Sequence, residues 1–191
     1  MLKVGPIIKF IVPEGTWAGT PCILVDFKSK KAAEKDLNTI YDEILKLGLR
    51  SILIIGHLRD VPEIREIIAG LTSKGKITTL VTDGMDSIDV IRPIKNSRVY
   101  LKLVPPTKDV NTIDPQVMTM LTDDDEIRFE VKKIKDYEDA MIFLKARVVV
   151  RPTIVFNISD KLEKPLEFIE KYLEECKNFT FKNRLTRRFK V

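Results

Sequence analysis

Six short apolar runs alternate with six stretches of helical periodicity along this chain of 191 residues. That alternation is the strongest constraint on its fold. The runs cover residues 22–27, 51–55, 76–82, 98–104, 126–131 and 148–156. In Ser51-Ile52-Leu53-Ile54-Ile55 every position after the serine is apolar, as a strand requires when both of its faces are covered. Between the runs, apolar residues recur three and four apart: Leu37, Ile40, Tyr41, Ile44 and Leu45, then Ile64, Ile67, Ile68 and Leu71. The same spacing predicts helices over 85–91, 115–121, 137–146 and 166–176. Punctuation agrees. Gly48 supplies a left-handed stop, Pro62 falls near the first turn of the second helix, and Asp83-Gly84 turns the chain after the third strand.

Buried strands separated by amphipathic helices imply a parallel sheet with right-handed crossovers. A closed eight-unit barrel takes about 250 residues. Six units therefore predict an α/β fold of open, partial (β/α)6 barrel type. It spans residues 1–191 as one domain, with an N-terminal extension over 1–21 and a basic C-terminal tail over 177–191. Two strands depart from the pattern. Residues 126–131 alternate apolar and charged, which predicts a more exposed strand. Residues 148–156 contain Pro152, which predicts a bulge or an edge. The stretch from Pro105 to Pro115 is irregular. The acidic run Asp123-Asp124-Asp125-Glu126 lacks the alternating spacing of a calcium loop and reads as a surface turn.

Composition narrows the class. Apolar residues make up 44% and charged residues 32%, a balance that excludes a disordered chain. No apolar run approaches the roughly 20 residues of a membrane-spanning helix, and no signal peptide is evident. Cys22 and Cys176 read as reduced packing residues in a cytoplasmic protein. Abundant Lys, Glu and Ile would suit a thermophile. The net charge of +5 is concentrated in residues 182–190, where Arg184, Arg187 and Arg188 offer a nucleic-acid contact or simply a solvated terminus.

Ligands of parallel sheets sit at the carboxyl ends of the strands. Here those ends carry Asp26-Phe27-Lys28, Gly56-His57, Thr82-Asp83-Gly84, Leu103-Val104 and Asn157. His57 is the sole histidine, either a proton carrier or a loop residue facing water. Asp26 and Asp83 are its candidate carboxylate partners, although Asp83 equally supports its own turn. Lys28, Lys30 and Lys31 form a basic patch that reads as an anion site or as a solvated helix start. No metal site is predicted.

Residues 12–21, Val-Pro-Glu-Gly-Thr-Trp-Ala-Gly-Thr-Pro, carry a more specific signal. Glu14, Gly15, Ala18, Gly19 and Pro21 resemble the opening motif of the 7-carboxy-7-deazaguanine synthases, radical S-adenosylmethionine enzymes of deazapurine biosynthesis. Trp17 stands where that motif has tyrosine. Pro62-Glu63-Ile64, Thr82-Asp83-Gly84, 125–131 and 183–187 resemble later family segments in the same order. The resemblance implies the family's incomplete six-unit barrel. It also implies a substrate-lining role for Glu14, Gly15, Thr16 and Trp17, the last offering a flat face to a purine- or pterin-like ring, or else plugging the barrel.

The departures are chemical. The family's three cluster cysteines fall on Lys30, Glu34 and Leu37, which are not soft ligands. The segment reads as helical from about Ala32, leaving no room for a loop around a cluster. The family's G-G-E-P falls on Ile55-Gly56-His57-Leu58, so the carboxylate that meets the cofactor ammonium is absent. The expectation is no iron–sulfur cluster, with binding of S-adenosylmethionine disfavoured. Three functions remain open. One is a non-catalytic binding or partner protein, pairing with itself as a homodimer or with an active relative. Another is a metal-independent enzyme using His57, Asp26 and Asp83 on a heterocyclic substrate. The third is an RNA-associated protein using the basic tail.

Overall fold

Each apolar run forms a strand, and the strands join in sequence order. The computed structural model describes residues 1–103, 115–147, 151–159, 162, 164–177 and 183–187. Two short strands, β1 (Leu2–Val4) and β4 (Ala33–Lys35), pair antiparallel beside an eight-stranded sheet. In that sheet β2 (Ile8–Ile11) lies antiparallel to β3 (Pro21–Asp26). Parallel neighbours follow: β5 (Ser51–Ile55), β6 (Ile77–Thr82), β7 (Ser97–Leu103), β8 (Glu126–Val131), β9 (Thr153–Ile158) and β10 (Asn183–Arg187). The sheet ends at β2 on one side and β10 on the other, an open partial barrel.

Among the described residues, five helices supply crossovers: α1 (Leu37–Lys46), α2 (Ile64–Ser73), α3 (Pro115–Met120), α4 (Ile134–Arg147) and α5 (Pro165–Cys176). Asp36 caps α1, its carboxylate accepting from the Thr39 amide and hydroxyl, both at 2.8 Å. Gly48, at φ +75°, follows its last turn, as the left-handed stop requires. Helix faces and one face of β3 and of each strand from β5 to β9 make the main core, which includes Ile40, Ile44, Ile67, Leu71, Val25, Ile54, Leu101, Phe129 and Phe156.

Several expectations change. The region 85–91 is turns rather than helix. Asp83 Oδ1 accepts from the Met85 amide, and Ser87 and Asp89 bond each other and nearby amides, so short polar side chains compete for the backbone. Ile88 and Ile91 still reach the core. The helix expected from about Ala32 begins at Leu37. Residues 27–36 are irregular apart from β4, so the segment has the room the sequence reading denied it. Consequently Lys28, Lys30 and Lys31 lie on that loop and not at a helix start. Pro152 precedes β9, which is an interior strand between β8 and β10. Residues 183–187 of the basic tail are a seventh parallel strand, whereas Arg188 lies outside the described residues. The stretch 104–114, most of the irregular segment, also lies outside them.

Asp125, expected on a surface turn, is buried. Its Oδ1 accepts from the Val99 amide at 2.6 Å. Its Oδ2 accepts from the Thr122 amide at 2.6 Å and from Arg92 Nη1 at 2.7 Å. Among the described residues, no helix is long and apolar enough to cross a membrane.

Candidate functional site

Strand alternation sends every second residue away from the helices, onto the inner face of the sheet. On β3, β5 and β6 this face is largely apolar. Cys22 and Leu53 join Val12 and Tyr100 in a second, small core, with Phe10, Trp17, Leu24 and Val81 against it. On β7 and β8 the inner face is charged: Arg98, Tyr100 and Lys102 beside Glu126, Arg128 and Glu130. Tyr100 is in register with Glu126, and Lys102 with Arg128.

The charged half is closed from the N-terminal side. Arg128, 6% exposed, donates from Nε to Glu126 Oε2 at 2.7 Å, and its Nη1 lies 3.7 Å from Glu14 Oε1. Its guanidinium carbon stands 4.0 Å over the Tyr100 ring. Glu126 Oε1 accepts from the Thr16 amide at 2.7 Å, and Asn157 Nδ2 donates to Glu14 Oε2. Gly15 adopts φ +86° here, and a Cβ on it would meet Glu126 Oε2 and lie 2.6 Å from Arg128 Nη2. Only glycine fits where this loop meets the ion cluster. The strand 126–131, expected to be exposed, is thus buried. Its alternation is real, but its charged face turns inward to paired partners.

A second constellation lies at the carboxyl ends of the strands. Lys28, Ile55, His57, Val81, Thr82, Asp83, Lys102 and Glu130 line a cleft of about 430 Å³. Lys28 Nζ sits 2.7 Å from His57 Nε2. An ammonium can only donate, so Nε2 accepts and the proton of the neutral ring resides on Nδ1. That nitrogen faces Asp83 Oδ1 at 3.4 Å. Arg59 braces the carboxylate, with Nη2 3.3 Å from Asp83 Oδ2 and Nη1 2.9 Å from Asp86 Oδ1. Lys102 Nζ pairs with Glu130 Oε1 at 3.0 Å. Asp26 Oδ1 accepts from the Lys28 amide at 2.8 Å and fixes the root of that lysine.

The electrostatics follow from this packing. Burial lowers the His57 pKa below 6.5. Asp83 opposes that shift, and the Lys28 and Arg59 cations add to it. Burial pushes Asp83 up, but the Met85 amide, Arg59 and His57 outweigh it and hold the carboxyl below its ordinary value. The ring is therefore neutral at pH 7 and the carboxylate ionised.

The residues singled out in the sequence divide between two places. Lys28, Gly56, His57, Thr82, Asp83 and Gly84 gather at or beside the cleft. Asp26 reaches it only through the Lys28 amide. Gly56 directly follows β5, where a Cβ would come 2.7 Å from Ile64 Cδ1. Glu14, Gly15 and Thr16 belong to the interior ion cluster. Trp17 lies toward the amino ends of the strands under Arg98, 4.0 Å from ring centroid to guanidinium carbon, so it and His57 do not face each other. Lys102, Glu130, Arg59 and Asp86 were missed. The available signal was the complementary alternation of Arg98-x-Tyr100-x-Lys102 with Glu126-x-Arg128-x-Glu130.

Lys30, Glu34 and Leu37 present an amine, a carboxylate and an alkyl chain. Glu34 lies in β4 opposite Lys3, and Leu37 opens α1 and packs on the core. This donor set does not fit a cluster held by three thiolates. Cys22 is buried in the small inner core, where burial pushes its thiol up to about 11. Among the described residues, no group of three His, Cys, Asp or Glu side chains could hold a metal ion.

The architecture is that of an α/β open partial barrel built on a mainly parallel sheet. A crystal structure of QueE from Escherichia coli matches it with a TM-score of 0.67. The match covers 97% of this chain and 93% of that one at 13% sequence identity. At that identity the likeness establishes the fold alone. No family model and no curated protein matches the chain.

Proposed function

We propose that this chain is a cluster-free relative of the deazapurine-pathway synthases. Its cleft at the strand ends binds a small polar molecule of purine or pterin type. The observation that carries this reading is the cleft itself. Its size falls within the range of about 300–1,000 Å³ usual for small-ligand sites. Thr82, 4% exposed, is among its lining residues.

Charge narrows the ligand. Two ammonium groups, Lys28 and Lys102, face two carboxylates, Asp83 and Glu130, around the same opening. Such balance disfavours a polyphosphate and favours a nearly neutral molecule with alternating donors and acceptors, as a fused heterocycle has. A nucleic-acid role for the tail has less support, because residues 183–187 are committed to the sheet.

Calorimetric titration of the protein with guanine-, deazaguanine- and pterin-type compounds tests the reading. Binding that is lost in Lys102→Met and His57→Ala, in variants that keep the wild-type fold, supports it. Absence of binding across the series, or binding indifferent to both substitutions, overturns it.

A further inference from the structure

We propose that Lys28 is a nucleophile that forms an imine with an aldehyde or ketone held in the cleft. The inference rests on reading the cleft as a ligand site, and adds a reaction to it. A nucleophile is recognised by a base within about 2.6–3.2 Å and a third group that orients that base. Lys28, His57 and Asp83 meet this description. The amine nitrogen is 2.7 Å from Nε2, and the opposite ring nitrogen faces a carboxylate that Arg59 braces. Lys28, Lys30 and Lys31 are all exposed on this loop, and of the three only Lys28 lines the cleft.

The step balances without any added oxidant or reductant. Nε2 of neutral His57 takes a proton from the Lys28 ammonium, and the amine so freed attacks the carbonyl carbon, forming the C–N bond and an alkoxide that the imidazolium protonates. Neutral again, Nε2 takes a proton from the new ammonium nitrogen and delivers it to the hydroxyl. The hydroxyl leaves as water, breaking the C–O bond and leaving a protonated C=N bond. His57 suits both transfers because it is buried and neutral. Asp83 compensates its transient charge.

The test uses pyridoxal, a heterocyclic aldehyde, at substoichiometric concentration with sodium borohydride to fix the imine as a secondary amine. Peptide mass mapping then reads each lysine. Lys28 is expected to be labelled at least about 10-fold faster than Lys30 and Lys31. His57→Gln should slow Lys28 about 100-fold, the scale of one positioned acid–base group, and leave Lys30 and Lys31 unchanged. Asp83→Asn gives a second, milder variant expected to slow Lys28 in the same selective way. Labelling of Lys28 at the rate of its neighbours, or a rate unaffected by both substitutions, overturns the proposal. Pyridoxine, which has no carbonyl, separates the two readings. If it binds by calorimetry while Lys28 shows no preference, the imine fails and the cleft stands. If neither binding nor preference is seen, both fail.

Discussion

Lys28 donates its ammonium to Nε2 of His57 at 2.7 Å, and this contact fixes the imidazole in its neutral form with the proton on Nδ1. A second proton on the ring would place two cations in contact, one of them the buried imidazole. The preference for neutrality has a cost at acid pH.

The first prediction concerns that cost. The unfolded ring takes a proton near pH 6.5 and the folded ring only at lower pH. The stability that His57 lends is therefore fully present above pH 6.5 and is lost as the pH falls from there through the depressed folded value. Asp83 titrates below 3.8 and does not contribute in this window. Urea denaturation at pH 7.5 and pH 5.5 should show a larger loss for the wild type than for His57→Gln. Equal losses would contradict the assignment.

Arg128 holds the two carboxylates of Glu14 and Glu126 together in the barrel interior. Arg128→Met should cost about 3–5 kcal/mol, because it leaves two like charges buried without their cation. Adding Glu126→Gln should restore part of that. A loss below about 1 kcal/mol by chemical denaturation would show that the cluster is wet and weakly coupled.

Gly15 tests the loop that closes over this cluster. Gly15→Ala places a Cβ at positive φ and against Arg128 Nη2, and should destabilise by about 1–3 kcal/mol. Gly19, also at positive φ but with open space around it, isolates the backbone component: Gly19→Ala should cost less. Equal costs would mean that close approach to the ions contributes nothing.

Trp17 separates packing from binding. It belongs to the small inner core at the end away from the cleft. Trp17→Ala should lower stability by roughly 2 kcal/mol while leaving affinity at the cleft unchanged. A ligand that loses affinity in this variant by 10-fold or more would move the site to the amino end.

The interior strands β3 and β5 to β9 were legible in the sequence because burial on both faces leaves continuous apolar runs, as in 51–55, whereas the short or peripheral β1, β2, β4 and β10 were not. Cap and stop residues such as Gly48 set helix ends independently of tertiary context. The turns at 85–91 were not legible, since Ser87 and Asp89 act through side chain–backbone bonds that periodicity does not register. Strand 126–131 misled for a different reason. A charged, alternating face looks the same whether it meets water or a paired interior, and only the neighbouring strand's complementary charges separate the two. Of the site, His57 and Asp83 were found from their place at strand ends. The role of Lys28 as the histidine's partner depends on a loop whose path begins in β3 and is held by β1 and β4, a long-range arrangement with no local pattern.

We propose that the loop over residues 27–36 holds no iron–sulfur cluster and that ligand binding belongs to the cleft beside it. Anaerobic incubation with iron and sulfide, followed by visible absorption and a cofactor cleavage assay, tests this most directly. The protein should stay colourless and leave S-adenosylmethionine intact, with Lys30, Glu34 and Leu37 offering no thiolate. A brown protein that cleaves the sulfonium would contradict it.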